Sequence, residues 1–427
     1  MADPHRRGRG RRPFDRPGEP PLKPERRPAA AGQPFVAGSL PCAHYPDCVG
    51  CPLIGRPYGE QLQWKQEAVQ RALAQYPSLG GVAVPEVIGS PRAFGYRNQV
   101  KLVVRKARRG RLLGVYRPGS HQVVDIRECP VHHVLITEVL SALGELLDTF
   151  DIEAYDERDG HGVLRYVLIR VGVWSKTVQV VFVTATESIP RGRDLAAALL
   201  RIPGVVGVVQ NINPTRGNVI LGGEYRALAG EETLLEKING LKLVTHAGAF
   251  LQANTNIAGR IYRQAAEWAG LEADQVAVDL YCGAGALTFH LAGAGRLVVG
   301  VEQSPIAVTD AKANIRINGF HNVRFRAGDA GELLSQLLSE LDRIDVISLN
   351  PPRKGADAAV RAAILAAAPQ RILYVSCDPG TLARDLDELV TAGYRVTGFQ
   401  PYDMLPQTEH VECLAALERG PAPAPPA

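Results

Sequence analysis

From about residue 246 the chain alternates short apolar runs with helix-like stretches, and this alternation constrains the fold more than any other feature. "VAVDLYCGAGALTFHLA" (276–292) reads as strand, glycine turn and helix. "LVVGVEQSPIAVTDAKANIRING" (297–319) reads as strand then helix, with Ser304 as the N-cap and Pro305 in the first turn. "IDVISLNPPRKG" (344–355) and "RILYVSCDPGTLARDLDELVTAG" (371–393) repeat the rhythm, and "HVECLAAL" (410–417) reads as a last strand. Strands that alternate with helices form a mostly parallel sheet covered on both faces. The predicted class is therefore α/β, a doubly wound Rossmann-like domain over residues 246–419. Ligands of such sheets gather at the carboxyl ends of the strands.

Upstream, residues 38–245 read as a mixed α+β domain. "YGEQLQWKQEAVQRAL" (58–73) and "GRDLAAALLRI" (192–202) have helical patterns. "QVKLVVR", "LLGVYR", "YVLIRVG", "TVQVVFVT", "GVVGVVQNIN" and "NVILGG" read as strands, with a basic turn, "KARRGR", between the first two. Hydrophobic residues make up 46% of the 427, as in globular chains. No apolar run has membrane-span length, and no apolar leader precedes the first domain, so a cytoplasmic protein is expected. Residues 1–30 carry nine Arg or Lys against four acids, although the whole chain is only +4. Residues 1–37 are thus expected to be a disordered basic tail, either a solubilising extension or an arm drawn to phosphate backbones. Residues 420–427 are read as a disordered end.

Seven cysteines at uneven spacing do not make a disulfide framework in a cytosolic chain. Cys42, Cys48 and Cys51 form C-x5-C-x2-C, and Cys129 is a distant fourth candidate. Four thiolates can hold zinc or a cubane iron–sulfur cluster, and spacing alone leaves both open. His44, His132 and His133 stand beside them and read as surface residues or as neighbours of the ligands. Cys282 and Cys413 read as small buried filler. Cys377 differs, because it stands at a strand-to-helix turn, just before "DPGTLARDL".

"DLYCGAG" (279–285) follows a strand and opens a helix, but Thr288 occupies the place of a third glycine. Glu302 ends the next strand, where an acid can bind ribose hydroxyls. The pair fits a nucleoside cofactor without a pyrophosphate, and S-adenosylmethionine is the common one. Asn-Pro-Pro loops also occur in amino-group methyltransferases, but there an aromatic ring follows; here it is Arg353. A thiol at the Cys377 turn suits another chemistry. Carbon 5 of uracil becomes nucleophilic when a thiolate adds to carbon 6, and a base must later take the carbon 5 proton. The helix N-terminus after Cys377 is expected to favour the thiolate, with Asp378 opposing it.

Together the motifs resemble the RNA 5-methyluridine (uracil-5) methyltransferase family. "QNIN", "AFLQANT", "DLYCGAG", "VEQSPIAVTDAKANIRING", "LNPPRKG", "VSCDPGTLARDL" and "YDMLPQTEHVE" run in that family's order over residues 210–412. The resemblance implies Cys377 as nucleophile and Glu412 as general base. It implies Gln252, Tyr281, Glu302 and Asn350 as S-adenosylmethionine contacts, with Asp329 on the adenine side. Ala286 departs from the pattern, since some members carry Asn there. The cysteine spacing resembles the 23S ribosomal RNA branch, which implies a 4Fe–4S cluster on Cys42, Cys48, Cys51 and Cys129. That branch sometimes carries an N-terminal RNA-binding barrel, which is not expected here. The expected partner is RNA, 23S ribosomal RNA first, with no membrane and no obligate protein partner. Transfer RNA as substrate, and a non-catalytic RNA-binding or ribosome-assembly factor, are the alternatives.

Overall fold

The computed structural model describes residues 42–420. The expected basic tail and, apart from Gly420, the expected disordered end lie outside the described residues. Helix α1 (Tyr58–Leu73) precedes strands β1 (Gln99–Lys106), β2 (Arg111–Tyr116) and β3 (Val123–Asp125). Helix α2 (Val134–Thr149), strands β4 (Leu164–Gly172) and β5 (Thr177–Thr184), helix α3 (Gly192–Leu199), and strands β6 (Val205–Ile212) and β7 (Glu224–Gly230) follow. These strands form one sheet in the order β3-β2-β1-β4-β5-β6-β7. All neighbours are antiparallel except β5 and β6, which α3 joins by a crossover. Leu140, Leu143 and Leu147 of α2 and Leu195 and Leu199 of α3 bury one face of this sheet.

"NVILGG" is not a strand. Asn213 donates to the carbonyls of Val219 and Ile220, and Asn211 donates to those of Gly222 and Glu224 while accepting from the Gly222 amide. Side-chain amides thus replace a strand ladder along this loop.

A hairpin of β8 (Thr233–Ile238) and β9 (Leu241–His246) leads to α4 (Thr255–Ala269). The expected alternation then runs as β10 (Val276–Leu280), α5 (Ala286–Leu291), β11 (Leu297–Glu302), α6 (Pro305–Asn318), β12 (Val323–Ala327), α7 (Ala330–Glu340), β13 (Val346–Leu349), α8 (Ala358–Ala367), β14 (Arg371–Ser376), α9 (Pro379–Thr391), β15 (Tyr394–Tyr402) and β16 (Glu412–Arg419). The sheet order is β12-β11-β10-β13-β14-β16-β15, parallel through β14, with β16 inserted antiparallel. Helices α4, α5 and α6 bury one face, and α7, α8 and α9 the other. The doubly wound α/β expectation describes this half of the chain.

Helix α1 precedes the first sheet in sequence but packs into the core of the second. Its Val69, Ala72 and Leu73 join the apolar layer of α7, α8 and α9. Lys65 of α1 forms an ion pair with Asp403, just beyond β15, and both side chains are fully buried. Tyr58 donates to the other Asp403 oxygen at 2.7 Å, and Lys65 also donates to the Leu405 carbonyl at 3.1 Å. A buried pair of this kind needs such extra partners to offset desolvation.

Candidate active site

The glycine turn between β10 and α5 carries backbone that few side chains tolerate. Gly285 has φ 90°, and a Cβ there would stand 2.6 Å from the Phe325 ring. Tyr281 adopts φ 61° at the start of the same turn. Asp279 is buried in β10 and accepts from the hydroxyls of Thr288 and Ser348, each at 2.6 Å. It thereby ties β10 to α5 and β13, while burial pushes its carboxyl up to about 6. Glu302 accepts from the Gly283 amide at 3.0 Å and from the Ser304 amide at 2.8 Å. Each oxygen retains a lone pair for a further donor, such as a ribose hydroxyl.

A cleft opens beside this turn, lined by Gln252, Tyr281, Gly283, Ala284, Ala286 and Asn350, among others. Three of the five expected cofactor residues therefore line one cleft, and Glu302 holds its glycine turn. Asp329 does not line it. Its carboxylate caps α7, accepting from the amides of Gly331 and Glu332 at 2.9 and 3.1 Å. The second wall of the cleft was missed: Glu236, Ile238, Leu243 and Thr245 come from the β8–β9 hairpin, and Phe250, 68% exposed, stands in the following segment. The signal was Glu236, which falls on the buried face of an alternating strand.

Cys377 follows β14, and Glu412 opens β16. Ser376 pairs with Cys413 in the antiparallel register, so one step further puts Cys377 across from Glu412. Directly opposed residues have Cβ atoms roughly 5 Å apart. Glu412 is buried, and that burial pushes its carboxyl up to about 7. Burial and Glu412 push the Cys377 thiol up to about 11, while Arg353 pulls it down. Burial and the neighbouring acids thus oppose the thiolate that the helix N-terminus was expected to favour. Asp378 spends its carboxylate on the helix itself, accepting from the amides of Gly380 and Thr381. Arg353 is exposed and makes no ion pair among the described residues. It is held beside Cys377 because the Thr381 hydroxyl donates to its carbonyl at 3.1 Å.

The four cysteines of the expected cluster all carry free thiols. Among the described residues no group of three or more His, Cys, Asp or Glu side chains is arranged to hold a metal ion. The expected four-thiolate site is therefore not formed as such. The thiols nonetheless converge: burial, then Cys129, then Cys48 push Cys51 up to about 12, with Cys42 adding to it. Arg97 Nε and His132 Nδ1 are buried near them without a hydrogen-bond partner. His132 is buried rather than at the surface, and His133 caps α2, its Nδ1 accepting from the Leu135 amide.

The basic turn is only partly available. Arg105 pairs with Asp156 and Glu157, and Arg111 with Asp148 and Asp151. Lys106, Arg108 and Arg109 remain exposed and form no ion pair among the described residues. No described helix is long and apolar enough to cross a membrane.

The profile of the tRNA (Uracil-5-)-methyltransferase family matches residues 231–420. An uncharacterized RNA methyltransferase of Geobacter sulfurreducens is 43% identical over 377 residues, covering 88% of this chain and 76% of its own. One from Halalkalibacterium halodurans is 38% identical over 379 residues, covering 88% and 83%. The Pyrococcus abyssi tRNA (uracil-54, C5)-methyltransferase, solved with S-adenosyl-L-homocysteine, is similar at a TM-score of 0.70 and 27% identity, covering 87% of this chain and 86% of its own.

Proposed function

The chain belongs to the RNA uracil-5-methyltransferase family, whose members use S-adenosylmethionine, and from that premise we propose that it methylates carbon 5 of a uridine in 23S ribosomal RNA. The observation that carries the reading is the nearness of Cys377, one step beyond the Ser376–Cys413 pair, to the buried Glu412 at the start of β16. When bound, S-adenosylmethionine supplies an electrophilic methyl group. Gln252, Tyr281 and Asn350 line its cleft, and Glu302 receives its ribose.

Cys377 Sγ bonds to uracil carbon 6 as its proton leaves to water, and the ring's electron pair moves onto the carbonyl as an enolate. Carbon 5 would then take the methyl group, whose bond to the sulfonium sulfur breaks and leaves S-adenosylhomocysteine with the electron pair. Glu412 removes the carbon 5 proton; the freed pair re-forms the ring double bond, and the carbon–sulfur bond breaks to release Cys377. Arg353 favours the thiolate that the other neighbours oppose. A carboxyl near 7 is suited to a base that must accept a proton at neutral pH. The target uridine leaves its stack to reach this depth. Lys106, Arg108 and Arg109 draw phosphates to the first sheet.

Cys42, Cys48, Cys51 and Cys129 are the residues that would hold a 4Fe–4S cluster. Their chemistry fits, being four thiols with no carboxylate among them. The unpartnered N–H groups of Arg97 and His132 would find sulfur acceptors there. The reaction transfers no electron, so such a cluster is structural. This cysteine set is what favours 23S over transfer RNA. The likeness to a tRNA enzyme favours the second reading, transfer RNA as substrate.

The test uses 23S and transfer RNA transcripts containing 5-fluorouridine, whose fluorine cannot leave as a proton. The expected result is a denaturant-stable protein–RNA adduct with 23S RNA, lost in Cys377→Ala. An adduct with transfer RNA alone would overturn the substrate. No adduct with either would overturn the thiol mechanism.

A further inference from the structure

The two groups of the reaction lie on neighbouring strands of the second sheet, but the chain reaches them differently. Cys377 is held by β14, α9 and the Arg353 loop. Glu412 pairs with Tyr402 where β16 begins, and the loop 403–411 that leads to it from β15 makes further contacts outside the sheet. The Leu53 amide, two residues beyond Cys51, donates to the Gln407 carbonyl at 3.0 Å. The Tyr96 hydroxyl donates to the Pro406 carbonyl at 3.0 Å. The Gln407 side chain donates to the Ala93 carbonyl at 3.2 Å and accepts from Gln61 at 2.9 Å, and Gln61 accepts in turn from the Gln407 amide at 3.0 Å. These bonds fix Gln407 at φ 71°, a left-handed conformation that non-glycine residues rarely adopt.

Apart from Gln61, which lies on α1, the other ends of these bonds belong to the cysteine-bearing region. Residues 95–97 are zipped to the turn after Cys129 by Gly95 to Pro130, Arg97 to Val131 and His133 to Arg97. Tyr96 is buried in this zipped segment, with its hydroxyl bond to Pro406 reaching out of it. We infer that the cysteine-bearing region anchors the 403–411 loop and so sets the position of Glu412, which makes Tyr96 and Gln407 positioning residues for the proton-removal step. The inference rests on the proposed uracil-5 chemistry and adds a division of labour to it: the second sheet carries both groups, and the cysteine region fixes the loop that leads into the base.

The test separates the two steps. With uridine-containing RNA and S-adenosylmethionine, Tyr96→Phe and Gln407→Ala should accumulate a methylated, denaturant-stable adduct. Carbon–sulfur bond breakage should slow on the order of tenfold, because the base is displaced while the nucleophile is not. Adduct formation on 5-fluorouridine RNA, and affinity for S-adenosylhomocysteine, should match the unsubstituted protein. Tyr394→Phe is the control: it deletes an equivalent hydroxyl bond, 2.9 Å to the Pro369 carbonyl, elsewhere on the same sheet. Wild-type breakage rates in both variants, or formation and breakage falling together as in the control, would overturn the inference. A second readout needs no turnover: in Cys51→Ala the amides of 403–411 should exchange with solvent faster while those of 371–381 keep their protection. Equal protection of 403–411 in the two proteins would overturn the anchoring. Absence of any adduct in the unsubstituted protein would overturn the uracil-5 reading, and this inference with it.

Discussion

Replacing Glu412 with Gln should change how stability depends on pH. Burial raises this carboxyl from an ordinary value of 4.5 to about 7. Between those values the folded chain holds a proton that the unfolded chain has released. Stability therefore falls as pH rises through this window and levels off above about 7. A separation of about two and a half pKa units, at 1.36 kcal/mol each, amounts to about 3 kcal/mol, most of it lost between pH 5 and 8. Gln cannot ionise, so Glu412→Gln lacks this fall. Denaturant unfolding of both proteins at pH 5, 6, 7 and 8 measures the difference, and the titration of every other group cancels in the comparison. The variant should gain on the wild type by about 3 kcal/mol across the series. A difference constant to within about 1 kcal/mol would refute the burial argument, because a solvated carboxyl titrates alike in both states. The same ionisation should appear in turnover, with breakage of the adduct speeding up as pH rises through 7.

Gly285→Ala should lower affinity for S-adenosylhomocysteine by roughly tenfold or more and destabilise the fold by about 1–3 kcal/mol, since the new methyl meets the Phe325 ring at a left-handed φ; isothermal titration and thermal unfolding would show it. Arg108→Glu with Arg109→Glu should weaken RNA binding uniformly across sequences and lower the salt slope by about two phosphate contacts, leaving cofactor affinity unchanged, as filter binding at several salt concentrations would report.

Local chemistry made much of the second sheet legible. The run "RILYVS" coincides with β14, and Ser304 and Asp378 cap the helices that follow their strands. What failed were statements about partners. The stripe of Val69, Ala72 and Leu73 announces a buried helix face but not which sheet receives it. "NVILGG" has strand composition, yet Asn211 and Asn213 satisfy its backbone from the side. Arg105 and Arg111 stand at the two ends of a basic stretch, and acids some 40 or 50 residues away neutralise them, which the local sequence does not announce. The cleft shows the same limit. Its glycine turn is a contiguous motif, whereas its second wall is a hairpin whose one signal is a carboxylate on an apolar face.

Arg170 of β4 is wholly buried, donating to Gln179 within the first sheet and to Thr245, His246 and Ala249 beyond it. Gln99 of β1 reaches the Leu251 carbonyl. The strip of chain that ends at Gln252 thus hangs from the sheet that bears the basic turn. Swinging this wall of the cleft away from the first sheet would break these bonds, so on the proposed reading the displacement that brings a base to Cys377 falls on the RNA.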